Sequence, residues 1–142
     1  MPERFRDEVS KLLKESGWFE GRDVLDELVL PENFILFPAA ERILREFGGL
    51  RVGTTGRGVD CGASDVNFDP SRGSMLLTNF EEESQIVGSL LYPIATFCLD
   101  NWYLLVAESG SIFLWGEDFV YYDSNFEEAL TRLVLGLKQM PT

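Results

Sequence analysis

Apolar residues in the first 50 positions recur at the three- and four-residue spacing of amphipathic helices. The first stripe consists of Phe5, Val9, Leu12 and Leu13. It predicts a helix over residues 2–16, with Pro2 in the first turn and Gly17 as a left-handed stop. The second stripe consists of Ala40, Ile43, Leu44 and Phe47. It predicts a helix over residues 38–47 that Gly48 ends.

Between residues 94 and 122 the pattern changes to apolar and β-branched runs that are separated by short turn signals. Such runs predict strands, here near residues 94–99, 102–107, 111–115 and 118–122. The turn signals are Asp100-Asn101, Ser109-Gly110 and Gly116-Glu117-Asp118. Because loops of this length are too short for a crossover, we expect an antiparallel meander. Two shorter strands, at residues 50–54 and 63–68, precede it, and we expect the glycine-rich segment between them, residues 53–62, to be mobile. Residues 67–70 read as a turn.

Two similar sequences, Thr78-Asn79-Phe80-Glu81-Glu82 and Ser124-Asn125-Phe126-Glu127-Glu128, fit the capping box that opens a helix. With Thr78 or Ser124 as the N-cap, they predict helices near residues 79–90 and 125–138. Gly136 would then lie inside the last helix, where glycine costs about 1 kcal/mol relative to alanine and indicates close packing on the sheet. Helices first, strands later and a closing C-terminal helix predict the α+β class.

Charge narrows the class of partner. The chain has 142 residues, which fits one domain over residues 1–142, and 12 basic against 24 acidic residues, a net charge of −12. Residues 60–142 alone carry a net charge of −10. This sign disfavours nucleic acid and anionic membranes as partners and favours a basic protein. A plain alternative is that the acids only keep the protein soluble.

Several kinds of catalytic site are missing from the sequence. Histidine is absent, which excludes Ser-His-Asp and Cys-His catalysis and the usual zinc and iron ligand sets. Two cysteines, Cys61 and Cys98, form no CxxC pair, and the apolar neighbours of Cys98 suggest a buried, inert thiol. Catalysis by a carboxylate pair stays open because the chain has 24 acids. No membrane span or signal-type apolar segment is found, so we expect a cytoplasmic protein without cofactor or metal.

A set of motifs runs in order along nearly the whole chain. The motifs are Gly17-Trp18-x-x-Gly21-Arg22, Phe47-Gly48-Gly49-Leu50, Asn67-Phe68-Asp69-Pro70, Gly88-x-x-Leu91-x-Pro93-Ile94, the segment from Glu108 to Phe113, and Glu128-Ala129-Leu130-x-x-Leu133-x-x-Gly136. In this order and spacing they resemble the third subfamily of the SUKH superfamily. Ala95 departs from the family pattern, which usually has glycine after Pro-Ile.

The resemblance implies a bacterial immunity protein of a polymorphic or contact-dependent toxin system. Such proteins bind a cognate toxin, often a nuclease or deaminase, and block it without catalysis. The implied fold is an α+β domain with a strongly curved, mixed sheet. An alternative is a regulatory domain that binds a peptide or a small ligand in a cleft of the sheet.

The acidic second half supplies the candidate contact residues for a basic toxin. They lie at helix starts and hairpin ends, where recognition residues concentrate, and are Glu81, Glu82, Glu83, Asp100, Glu117, Asp118 and Asp123. Trp115 and Phe119 flank one hairpin tip and are candidate aromatic anchors. Trp18 either packs under the sheet with its indole N–H bonded or acts as an exposed anchor. Arg22 either binds an acid or helix-end carbonyls, or lines a cavity.

Overall fold

The computed structural model describes residues 5–58, 62–76 and 78–137. Its α-helices are α1 (Asp7–Ser16), α2 (Pro38–Phe47), α3 (Glu81–Val87) and α4 (Phe126–Leu135). Its strands are β1 (Arg51–Val52), β2 (Gly56–Arg57), β3 (Gly62–Ala63), β4 (Val66–Asn67), β5 (Leu91–Phe97), β6 (Trp102–Ala107), β7 (Ile112–Trp115) and β8 (Phe119–Asp123). Two 3-10 helices, Leu25–Glu27 and Pro70–Met75, complete the elements.

Six strands form one open sheet in the order β1-β4-β5-β6-β7-β8. Every pairing between these strands is antiparallel. The α+β class, the N-terminal helices, the closing helix and the meander are therefore confirmed. Strands β2 and β3 pair with each other in a separate two-stranded antiparallel sheet. Strand β8 ends the large sheet on one side.

Alternate residues of the meander point to opposite faces of the sheet, and each face has its own core. The first face carries Tyr92, Ile94, Leu104 and Val106 and packs with the apolar residues of α1, α2 and α4. The second face carries a smaller cluster, Leu91, Leu105, Ala107 and Phe113, which Phe80 and Val87 cover. The helices thus bury most of the first face, whereas one short segment around α3 covers the second.

Strand β5 has a partner in β4 only along Thr96 and Phe97. Its earlier part is covered by the 3-10 helix, where a side chain at Gly73 would come within 3.1 Å of Pro93. Proline lacks the N–H that a ladder needs, so Pro93 fits this stretch of β5, which β4 leaves unpaired.

Helix α2 has the predicted bounds, and α1 ends at the left-handed Gly17 as predicted. The start predicted for α1 is wrong, because Arg6 is extended and precedes the first helical residue. Pro2 lies outside the described residues. The third helix is shorter than predicted and stops at the left-handed Gly88.

Both predicted capping boxes are wrong. The residue before α3 is Phe80, and Thr78 accepts a hydrogen bond from the Phe80 N–H instead of capping the helix. The N-cap of α4 is Asn125, whose side chain accepts from the Glu128 N–H at 3.0 Å. Gly136 does not lie inside α4 but ends it, with a φ of 68° that favours glycine.

The turn between β5 and β6 is longer than predicted and consists of residues 98–101. Cys98, Leu99 and Asp100 all have positive φ angles, between 55° and 66°. Buried side chains hold the turn: Ser64 accepts from the Cys98 N–H at 2.7 Å and Asp65 accepts from the Leu99 N–H at 3.0 Å. Cys98 is consequently exposed, and its predicted burial is wrong because its apolar neighbour Leu99 also faces solvent.

Candidate interaction surfaces

Strand register places one group of the predicted contact residues at one end of the strands. Trp115 pairs with Tyr103 near the start of β6, so the β7–β8 turn lies at the same end of the sheet as the β5–β6 turn. This end therefore carries Asp100 in one turn and Glu117 and Asp118 in the other. Glu117 and Asp118 are exposed, as predicted for a hairpin tip.

Glu81, Glu82 and Glu83 reach the same region from the second face of the sheet. They form the first turn of α3, directly after Phe80. The Phe80 ring contacts the Trp115 ring with 5.1 Å between centroids, so the start of α3 is next to the end of β7. Trp115 itself is partly buried between Phe80 and Tyr103.

Asp123 lies at the opposite end of the strands, at the end of β8 that is far from Glu117 and Asp118. One of its carboxylate oxygens accepts from the Asn125 N–H, and the other is 3.2 Å from Arg132 Nη1. The seven predicted acids therefore do not lie at one end of the sheet, and Asp123 already has partners within the molecule.

Asp100 also has internal partners. Its Oδ1 accepts from the Thr96 hydroxyl at 2.6 Å, and its Oδ2 lies 3.2 Å from Arg72 Nη2. The Thr96 hydrogen bond, followed by the charge of Arg72, lowers the pKa of Asp100. Asp100 thus shapes the β5–β6 turn, whatever else it contacts.

Cations do not balance the acids of the second half. Among the described residues after position 61, Arg72 and Arg132 are the cations, and each forms an ion pair. Within the same part of the chain, Glu82, Glu117 and Glu128 are exposed acids that form no ion pair. The surface around β7, β8 and α3 is accordingly negative.

A second candidate site is a cleft of about 1180 Å³ between α1, the segment after it, α2 and the start of α4. Trp18 and Arg22 both line it. The Trp18 indole N–H donates to Glu46 Oε2 at 2.9 Å, so this side chain is partly buried with its donor bonded. Arg22 donates to the carbonyls of Glu46 and Gly48 at 2.6 and 2.8 Å. Arg22 therefore combines both predicted roles, because it donates to helix-end carbonyls and also lines the cleft.

The cleft has a different charge balance from the rest of the molecule. Four of its lining residues are basic and four are acidic: Lys14, Arg22, Arg42 and Arg45 against Glu20, Asp23, Glu46 and Glu127. Arg45 pairs with Asp23 at 3.0 Å and with Glu41. Phe19 at the rim is 59% exposed. Gly110 and Ser124 line this near-neutral cleft, so it lies at the end of the sheet away from the β7–β8 turn.

Sequence reasoning missed the exposed side chains of β8. Val120 is 39% and Tyr121 is 52% exposed, although both belong to a strand of the meander. The signal was present in the order of the strands, because β8 is the last strand before the closing helix and so can end the sheet. The Arg132 contact with this strand depends on the docking angle of α4, and no local pattern indicates it.

None of the helices in the part of the chain that the structure describes is long and apolar enough to cross a bilayer. No curated protein and no solved structure matches the chain. A family model described as the SUKH-3 immunity protein matches residues 5–136. This match covers almost all the described elements, from the residues before α1 to the end of α4, and it supports a function in immunity against a toxin. The chain therefore belongs to the SUKH-3 immunity protein family.

Proposed function

We propose that this protein neutralises a cognate toxin by binding it and covering its active cleft, without catalysis and without a cofactor. The family membership carries the proposal. The negative surface around β7, β8 and α3 favours a basic target, and nucleases and deaminases present basic clefts to their nucleic-acid substrates. On this proposal the exposed carboxylates take the place of substrate phosphates.

The proposed contact acids follow from position and exposure, and all of them are exposed except Glu83, which is half-buried. We propose Glu81, Glu82, Glu83, Glu117 and Asp118 as the acids that face the toxin, with Trp115 holding the two groups together. Asp100 and Asp123 stay predicted contacts, but their internal ion pairs give them a structural role first. The proposed place of action is the cytoplasm, with neither nucleic acid nor membrane as a partner.

Co-expression with the toxin encoded in the adjacent gene tests the proposal. We expect protection of the cell and a stable complex on a sizing column. Continued toxicity together with no complex would refute the function for that pair. An inactive toxin variant allows the complex to be purified in either case.

A second candidate function is the binding of a peptide or small ligand, and the cleft beside Trp18 and Arg22 favours it. Its volume of about 1180 Å³ exceeds that of most small-molecule pockets, so an extended peptide fits it better. An Arg42→Ala variant, which alters an exposed lining residue, separates the two functions. We expect it to leave toxin binding unchanged, whereas a loss of binding would move the toxin site to the cleft.

A further inference from the structure

We infer that the β7–β8 hairpin is an arginine-binding surface through which the protein holds its toxin. This inference rests on the proposed function and assigns it a place and a chemistry. The surface is defined by Glu117 and Asp118 in the turn and by Phe119, Val120 and Tyr121 in the edge strand. Its occupant is a guanidinium-bearing face of the partner protein.

Two rings on one face of β8 form the first part of the surface, the exposed Tyr121 and the partly buried Phe119. Phe119 and Tyr121 alternate with Val120, so both project to the second face of the sheet. Phe119 stacks on Phe113 with 5.4 Å between centroids and 16° between planes, and Tyr121 meets Phe113 edge-on at 5.6 Å. Phe113 is 8% exposed whereas Tyr121 is 52% exposed, so the buried ring fixes the position of the outer one.

Carboxylates next to these rings form the second part. Asp118 directly precedes Phe119 and accepts its backbone N–H through Oδ1 at 2.8 Å, which fixes the carboxylate at the start of β8. Glu117 is exposed and forms no ion pair among the described residues. A flat ring beside a carboxylate is the combination that a guanidinium uses, because it stacks and donates paired hydrogen bonds at once.

The same strand already shows this recognition within the molecule. Arg132 from α4 lies with its guanidinium carbon 4.0 Å from the centroid of the Tyr122 ring. Its Nη1 donates to the Tyr122 carbonyl at 3.0 Å and to Asp123 Oδ2 at 3.2 Å. At one end of β8, ring and carboxylate thus hold an arginine of the chain itself. Towards the other end, the ring of Tyr121 and the carboxylates of Glu117 and Asp118 are exposed.

Charge complementarity selects the occupant. The described cations of the second half are both engaged in ion pairs, Arg132 with Asp123 at the far end of β8 and Arg72 with Asp100 in the neighbouring β5–β6 turn. An arginine from a partner therefore meets a negative surface on which the one nearby cation of the described second half, Arg72, is already paired. Lysine would pair with the carboxylates but would gain less from the rings, since its ammonium is compact and strongly hydrated.

Binding of the inactive toxin from the adjacent gene to matched variants tests the surface. Tyr121→Leu keeps an apolar side chain but removes the ring, whereas Tyr121→Phe keeps the ring. We expect Tyr121→Leu to weaken binding about tenfold and Tyr121→Phe to bind within about threefold of the unchanged protein. The charge-removing pair Glu117→Gln with Asp118→Asn should also weaken binding about tenfold or more.

A control pair, Asp26→Asn with Glu27→Gln, removes two exposed acids from the first 3-10 helix and should leave binding unchanged. Thermal unfolding of each variant confirms that it folds. Equal binding by all variants would overturn the surface and leave the proposed function standing. No binding and no protection by the unchanged protein would overturn both.

Competition tests the choice of arginine. Free L-arginine and L-lysine at equal concentration supply the same charge and ionic strength. We expect arginine to dissociate the complex at clearly lower concentration and to lose this advantage with Tyr121→Leu. Equal competition by the two amino acids would refute recognition through the rings.

Discussion

The hydroxyl group of Tyr92 is an unusual feature of the core at the scale of single residues. The side chain is fully buried between Phe34 and Phe37, and its oxygen has no hydrogen-bond partner among the described residues. A buried polar atom without a partner costs about 1–3 kcal/mol. We therefore predict that Tyr92→Phe leaves the free energy of unfolding unchanged or raises it by about 1 kcal/mol, as measured by denaturant titration.

Tyr92 also predicts that the stability of the folded protein falls at alkaline pH. Burial raises the pKa of Tyr92 from 10.0 to about 12. The folded state then keeps the proton while the unfolded state loses it, so stability is complete below pH 10 and falls as the pH rises towards 12. We expect the native protein to lose about 2–3 kcal/mol over this range relative to Tyr92→Phe. Parallel alkaline curves for the two proteins would contradict the shifted pKa.

The start of α4 gives a test at the scale of elements. Asn125 caps the helix, whereas the neighbouring Ser124 is exposed and outside the capping hydrogen bond. We predict that Asn125→Ala lowers the free energy of unfolding by about 1 kcal/mol because the Glu128 N–H loses its acceptor. Ser124→Ala is the matched control and should change it by less than about 0.5 kcal/mol. The reverse order of the two effects would restore Ser124 as the cap.

The end of α2 gives a second test. Arg22 donates two hydrogen bonds to the carbonyls of Glu46 and Gly48, which the helix leaves without intrahelical partners. We predict that Arg22→Met lowers the free energy of unfolding by about 1–2 kcal/mol. Arg22→Lys should retain only part of this stability, because one ammonium cannot reproduce the two hydrogen bonds of the guanidinium group. Arg42→Met, at an exposed position of the same helix, should have little effect, and an equal loss there would rule out a special role for Arg22.

Sequence periodicity predicted the elements better than their ends. The bounds of α2 follow from apolar spacing, because burial of one face fixes them. The antiparallel order of β5 to β8 follows from the short loops between the strands, which leave no room for a crossover. The N-cap of α4 was predicted wrongly because Ser124 and Asn125 are both good N-cap residues. Only the packing of Phe126 in the core selects between them. The left-handed turn at residues 98–101 could not be predicted, because it depends on Ser64 and Asp65, which lie more than 30 residues earlier.

The candidate site was also predictable only in part. Exposure of Glu117 and Asp118 follows from their turn, which the sequence shows. The ion pairs of Asp100 and Asp123 follow from tertiary placement of Arg72 and Arg132, which it does not show. Family membership, in contrast, follows from the ordered motifs and is confirmed by the match over residues 5–136.

Uneven charge over the whole molecule predicts how fast the toxin binds. Glu117→Lys with Asp118→Lys reverses the charge at the β7–β8 turn, so it should slow association with the toxin and reduce the dependence of the rate on salt. Stopped-flow or surface-based kinetics measures both quantities. The pair Asp26→Lys with Glu27→Lys makes the same change in net charge elsewhere and should slow association less. Identical rates for both pairs would show that net charge, and not the hairpin, attracts the partner.

The contact between Arg132 and Tyr122 also has a consequence during synthesis. An edge strand with unpaired backbone groups tends to join the edge of another molecule, and here the guanidinium of the last helix occupies part of that edge. Strand β8 leaves the ribosome before α4, so a nascent chain that ends near Asp123 exposes the strand without its cover. Premature termination or proteolytic loss of α4 would therefore yield a self-associating fragment, and the cell would lose its protection through aggregation while the proposed toxin surface is still encoded intact.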